Sequence, residues 1–185
     1  LHIDDWPRVE LSNGLVEATV ALPDPVKGFY RGVRFEHSGM ITELNYNGHS
    51  YFGINAPEVR NPVGNDHCAG VSDEFFEPLG FDEAEVGQPF LKLGVGLLEK
   101  PFAKTYFFGT SYWPVKLFDW QWKIGKDHID LVQQGALNDW GYEYRKRIVL
   151  PEGKAALEVQ YTLTNTGKRQ LISTQYAHNF VRIDD

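Results

Sequence analysis

The chain has one cysteine and one methionine in 185 residues, no long apolar run and almost no helical periodicity, and each shortage removes a class of protein. Cys68 by itself can close no internal disulfide and build no thiolate zinc cage. That leaves the redox compartment open, with a lean to a reducing, cytoplasmic one. No stretch has the length of a membrane-spanning helix. Leu1 is neither an initiator methionine nor the start of a signal peptide, so the chain is expected to be a processed or excised piece. A basic stripe is missing as well. With a net charge of -7, the chain lacks what displaces counterions from nucleic acid or anionic lipid, and neither is expected as a partner. The longest basic run, Arg145-Lys146-Arg147, lies in an alternating segment that sends its members to opposite faces of a strand.

Turn chemistry is plentiful. Asn13-Gly14, Asn47-Gly48, Gly125-Lys126-Asp127, Pro151-Glu152-Gly153 and Asn165-Thr166-Gly167 punctuate short alternating or apolar runs along the chain. The pattern predicts an all-β, antiparallel domain over residues 1–185, folded as a β-sandwich. Strands are expected at VELSN, LVEATVALP, GVRFEH, MITELNYN, HSYFGI, FLKLGVGLLEK and KTYFFGTSY, and then in a consecutive meander from Val115 to Asp184. The stretch from Asn55 to Gln88 lacks sustained alternation and reads as one long irregular excursion over a functional face. The LGVGLL segment lacks the third glycine and following helix of a nucleotide loop, so its glycines read as a bulge or a close approach of strands.

Aromatic residues make up 14% of the chain, including five tryptophans, more than a core needs. Trp120 and Trp122 share a strand face by period two, either as core filler or as a stacking platform for a sugar, core being the plainer reading.

The C-terminal segment LEVQYTLTNTGKRQLISTQYAHNFVRID resembles the galactose mutarotase-like superfamily, whose best-known members are aldose 1-epimerases. A strand ending in Asn165-Thr166-Gly167 is followed there by one with a histidine before an aromatic, here His178-Asn179-Phe180. The segment YRGVRFEHSGMI, Tyr30 to Ile41, is similar to the early stretch in which such domains place a site-facing arginine. The resemblance implies a supersandwich fold, a monosaccharide or glycan as partner, no cofactor and no metal. It also implies ring opening by an acid and a base on opposite sides of the sugar, with His178 as the acid. In that family the base is a glutamate far downstream, and only seven residues follow His178, none of them glutamate. The domain is therefore expected to be incomplete at its C-terminus, or to bind without turnover. The alternative is a noncatalytic carbohydrate-binding or accessory domain of a glycan-processing enzyme.

The remaining candidates are weighed one by one. Arg31 and Arg34 are three apart, so an ideal strand puts them on opposite faces; Arg34, beside Phe35, is preferred as the clamp for sugar hydroxyls. His67 in GNDHCAG is the loop histidine that the resemblance assigns to substrate, a metal site being excluded by the consecutive spacing of Asp66, His67 and Cys68. Asp73, Glu74 and Glu77 in SDEFFEP read as a solvated acidic face, with Glu74 also a substrate-binding candidate and, with Asp73, the first alternative base. His2, His37, His49 and His128 read as surface or structural. Composition leaves the oligomeric state open.

Overall fold

Asn13 turns the chain between its first two strands by accepting the N–H groups of Leu15 and Val16 on Oδ1, each at 2.9 Å, while Gly14 takes a positive φ. The structure, a computed structural model, describes residues 5–55, 61–102 and 104–183, so His2 and Asp184 lie outside it. The described residues form thirteen strands and no helix, and every strand pairing is antiparallel. The first sheet runs in order β1 (Arg8–Ser12), β2 (Val16–Ala21), β3 (Ile41–Tyr46), β4 (His49–Ser50). Asn47 and Gly48 both take positive φ between β3 and β4, the geometry of a two-residue hairpin.

A second four-stranded sheet is a meander of β9 (Trp120–Ile124), β10 (His128–Leu137), β11 (Trp140–Val149) and β12 (Glu158–Asn165). The inner faces of these two sheets meet in the main core, where Leu11, Val16, Ala18, Val20 and Ile41 pack with Ile129, Leu131, Tyr144 and Ile148. That is a β-sandwich. A three-stranded sheet, β6 (Pro89–Lys92), β7 (Gly96–Glu99) and β8 (Pro114–Leu117), holds a smaller core of Val33, Phe81, Phe90, Val95, Leu98 and Tyr112.

Several expectations give way. The meander stops at β12, because β13 (Gln175–Phe180) pairs with β5 (Gly70–Phe75), and β8 joins β7. FLKLGVGLLEK is a hairpin, β6 and β7, turned at Gly94 with φ +76°. GVRFEH and KTYFFGTSY contain no strand. The excursion after Asn55 contains β5, a strand hidden from pattern reading because Asp73 and Glu74 occupy its centre and both are buried. Gly70 sets where β5 begins: its φ is +44°, and a Cβ there would lie 1.9 Å from the carbonyl oxygen of Ile41. Only glycine fits that approach.

Alternation along β5 points Val71, Asp73 and Phe75 toward β11, and Phe75 meets the Tyr144 ring edge-on at 5.2 Å. Asp73 accepts from Lys146 Nζ at 2.6 Å, and the same ammonium donates to Glu36 at 2.9 Å and to the Ser38 carbonyl at 2.9 Å. The Tyr161 hydroxyl and the Gln175 amide also donate to Asp73. The Arg145-Lys146-Arg147 run divides as its alternation requires, Lys146 going into this buried knot and Arg147 pairing Asp130 on the outer face. Burial works against the Lys146 charge, and the attraction of Glu36 and Asp73 more than offsets it, so its pKa is raised. The Glu36 carboxyl is also pushed up, by burial and by neighbouring Asp73, although Lys146 opposes the shift.

Lys146→Met leaves two buried carboxylates without their cation and should destabilise the fold by about 3–5 kcal/mol. Urea unfolding measures this, and adding Glu36→Gln and Asp73→Asn to Lys146→Met should restore part of the loss; a single variant as stable as the wild type would contradict the central role of the knot.

Candidate functional site

The opposite face of β5 presents Ser72 and Glu74, and by register β13 lays His178 beside Ser72 and Tyr176 beside Glu74. The bend at residues 31–37 crosses this face. It is held by the Tyr30 hydroxyl, which accepts the N–H groups of Arg34 and Phe35 at 3.0 Å each, and by the Glu36 N–H, which donates to the Asp73 carbonyl at 2.9 Å. The bend brings the Arg34 side chain onto Glu74.

Glu74 is fully buried and fully engaged. Its Oε2 accepts from Arg34 Nε at 3.0 Å and from the Tyr176 hydroxyl, and its Oε1 lies 3.3 Å from Lys92 Nζ. Lys92 also donates to the carbonyls of Phe75 and Phe76 and to the Tyr106 hydroxyl at 2.9 Å. Burial lowers the Lys92 pKa to about 8 even though Glu74 pulls it upward. Arg34 has a second partner in Asp66, whose carboxylate is largely in solvent and accepts from Nη1 at 2.7 Å. The guanidinium contacts two rings, 4.6 Å from the Phe35 centroid and 4.5 Å from that of Phe108.

His178 is exposed, and its imidazole stacks on Phe180 with centroids 4.3 Å apart and 9° between planes. It also meets Phe35 edge-on at 6.3 Å. Phe35 therefore links the histidine to Arg34.

Of the residues singled out from the sequence, Arg34, Glu74 and His178 gather on this face. Arg31 is tied elsewhere by its backbone, its N–H donating to the Pro62 carbonyl. His67 is buried, with its ring 4.6 Å from Phe29, which places it in a packed aromatic layer instead of on an open loop. Cys68 is buried beside it, and burial pushes its thiol up to about 12. Asp73 and Glu74 are the reverse of a solvated acidic face, since each is enclosed by cations and hydroxyls; Glu77 is exposed and holds Thr174. Trp120 is core, whereas Trp122 is 42% exposed at the edge of its sheet. His37 donates from Nε2 to the Gly32 carbonyl, 2.8 Å away, and His128 contacts Asp127, both structural placements.

Lys92, Tyr106, Tyr176 and Lys146 were not anticipated. Lys92 had a signal, a lone cation in the apolar run FLKLGVGLL, which a fold accepts only against a buried anion. Among the described residues no group of three or more His, Cys, Asp or Glu side chains is placed to hold a metal ion, and no helix is long and apolar enough to cross a membrane. No family model, curated protein or solved structure matches the chain.

The Lys92 shift has a pH signature. The unfolded chain holds the lysine proton up to about pH 10.5 and the folded chain only to about 8, so the unfolded state binds more protons in that window and stability rises with pH. Lys92 alone should add about 2 kcal/mol between about pH 8 and pH 10, and Cys68, whose thiol ionises from about pH 9 in the unfolded chain and only at about 12 in the folded one, should offset about 1 kcal/mol of it, leaving a net rise of about 1 kcal/mol. Above about pH 10 the buried tyrosines, Tyr106 among them, act in the opposite sense, because burial raises their pKa. Lys92→Met should flatten the rise, as measured by urea titration across that range; a wild-type curve that falls from pH 8 upward would contradict the assignment.

Proposed function

We propose that the chain is a carbohydrate-binding, mutarotase-like domain that takes a hexose on the face carrying Arg34, Phe35 and His178, with His178 the proton donor for ring opening. The observation that carries the reading is the exposed imidazole, held flat on Phe180 and edge-on to Phe35, whose ring Arg34 covers. An imidazole in solvent reach can hand a proton to a ring oxygen, and the Arg34 guanidinium beside it suits sugar hydroxyls. The supersandwich relationship drawn from Asn165-Thr166-Gly167 and His178-Asn179-Phe180 is part of this proposal.

Aldose 1-epimerase turnover also needs a base. Neither Glu74 nor Asp73 is suited to that role, since both are buried and spend their oxygens on cations, hydroxyls or an amide. This favours the second reading, a noncatalytic carbohydrate-binding or accessory domain, for the residues present in this chain.

Two measurements separate these outcomes. Titration with galactose or glucose followed by NMR should show binding in the millimolar range, about 4 kcal/mol, weakened in His178→Asn. Polarimetry of freshly dissolved α-glucose or α-galactose should show little acceleration, whereas a complete acid and base pair would raise the rate on the order of a hundred- to ten-thousandfold. Strong acceleration abolished by His178→Asn would establish the epimerase and place the base within this chain. Binding indifferent to His178→Asn would remove the histidine from the site, and absence of binding would end the carbohydrate reading.

A further inference from the structure

Arg34 has a second aromatic neighbour, and behind it lies more exposed ring surface than the core requires. Phe108, whose centroid is 4.5 Å from the guanidinium, leans on Phe107 at 4.9 Å and on Phe76 at 6.0 Å. Phe107 is 57% exposed and Phe76 36%. Exposed rings on a mobile loop would mean little, but these are pinned. Tyr112, itself buried, accepts the Phe107 N–H at 2.9 Å, and the buried Asn65 amide donates to the carbonyls of Phe108 and Thr110 at 3.2 and 3.1 Å. Phe76 is braced edge-on against Tyr106, which in turn bonds Lys92. At the rim stands the Asp66 carboxylate, 79% exposed and oriented by Arg34.

A fixed, contiguous aromatic surface beside a solvent-facing carboxylate and a guanidinium has the composition of a sugar-stacking site, with ring faces for the C–H side of a pyranose and charged hydrogen-bonding groups for its hydroxyls. We propose that Phe76, Phe107 and Phe108, with Asp66, form a second sugar subsite adjoining the His178 face across Arg34, so that the ligand is an oligosaccharide or glycoside longer than one ring. The inference rests on the carbohydrate reading above and names the length of its ligand. Phe35 is fully buried, so the rings that reach solvent beside the Arg34 guanidinium are those around Phe108. A chain of two sugars crossing Arg34 would set one unit beside the exposed His178 imidazole and the next on Phe107 and Phe76.

The test compares galactose and glucose with lactose and maltose by saturation-transfer NMR and calorimetry, on the wild type and on Phe107→Ala, an exposed position whose truncation spares the core. A disaccharide should bind roughly fivefold to tenfold tighter than the matching monosaccharide, the contribution expected of one stacked ring. Phe107→Ala should remove that gain and leave monosaccharide affinity unchanged. Equal affinity for disaccharides and monosaccharides, a gain that survives Phe107→Ala, or loss of monosaccharide binding in that variant would each overturn the subsite. Monosaccharide binding that depends on His178 without any disaccharide gain would remove the subsite and leave the carbohydrate reading standing, whereas failure of all four sugars to bind would remove both.

Discussion

Two neighbouring carboxylates on β5, aimed at opposite layers, hold three cations inside the protein. Asp73 shares Lys146 with Glu36, and Glu74 shares Lys92 and Arg34, so three acids and three bases balance around one short strand. Taking charges from water costs several kcal/mol per ion, and pairing of this kind recovers it only when the geometry is good and the leftover oxygens find donors. Tyr161, Gln175 and Tyr176 are those donors. Since a buried ion pair adds little net stability over an apolar replacement, the more telling consequence is positional: the residues it joins, from Arg34 to Tyr176, span most of the chain and must arrive together.

The knot explains how the irregular segment at residues 31–37 keeps a defined shape without a ladder. Arg34 goes to Glu74, Glu36 goes to Lys146, and the Phe35 ring between them is fully buried. Pairing of β13 with β5 then delivers His178 to the same face, because Tyr176, His178 and Phe180 follow period two opposite Glu74, Ser72 and Gly70. The placement of Arg34, Glu74 and His178 on one face is thus a by-product of β5 register. A slip of one residue would still oppose an acid to each layer, but it would exchange Phe75 and Val71 for Ser72 and Glu74 in the core and push a side chain into the carbonyl that only Gly70 admits.

Long alternating strands with standard turns were readable one by one. β10 and β11 carry ten residues each, and their apolar positions face one way, so local pattern and tertiary packing agree. β5 was unreadable for the opposite reason. Its buried positions hold Ser72, Asp73 and Glu74, which by composition belong in water, and only Lys146, Lys92 and Arg34 from distant segments make their burial tolerable. The same blindness put His67 on an open loop, since nothing local announces the Phe29 ring that covers it.

The sequence by itself determined the class of the protein: turn residues at regular spacing and period-two runs admit an antiparallel all-β fold, and the charge balance offers no basic stripe. It also marked Arg34 and His178 as residues to watch. Which strands pair out of order, which acids are buried and which aromatics stay in solvent were decided only in three dimensions. The physical reason is that a strand pattern reports one side chain's preference for water or oil, whereas a buried ion pair and a strand partner are each properties of two segments at once. Asp73 and Lys146 lie 73 residues apart, and Arg34 and Tyr176 lie 142 apart, so neither contact leaves a trace in the neighbourhood of either residue.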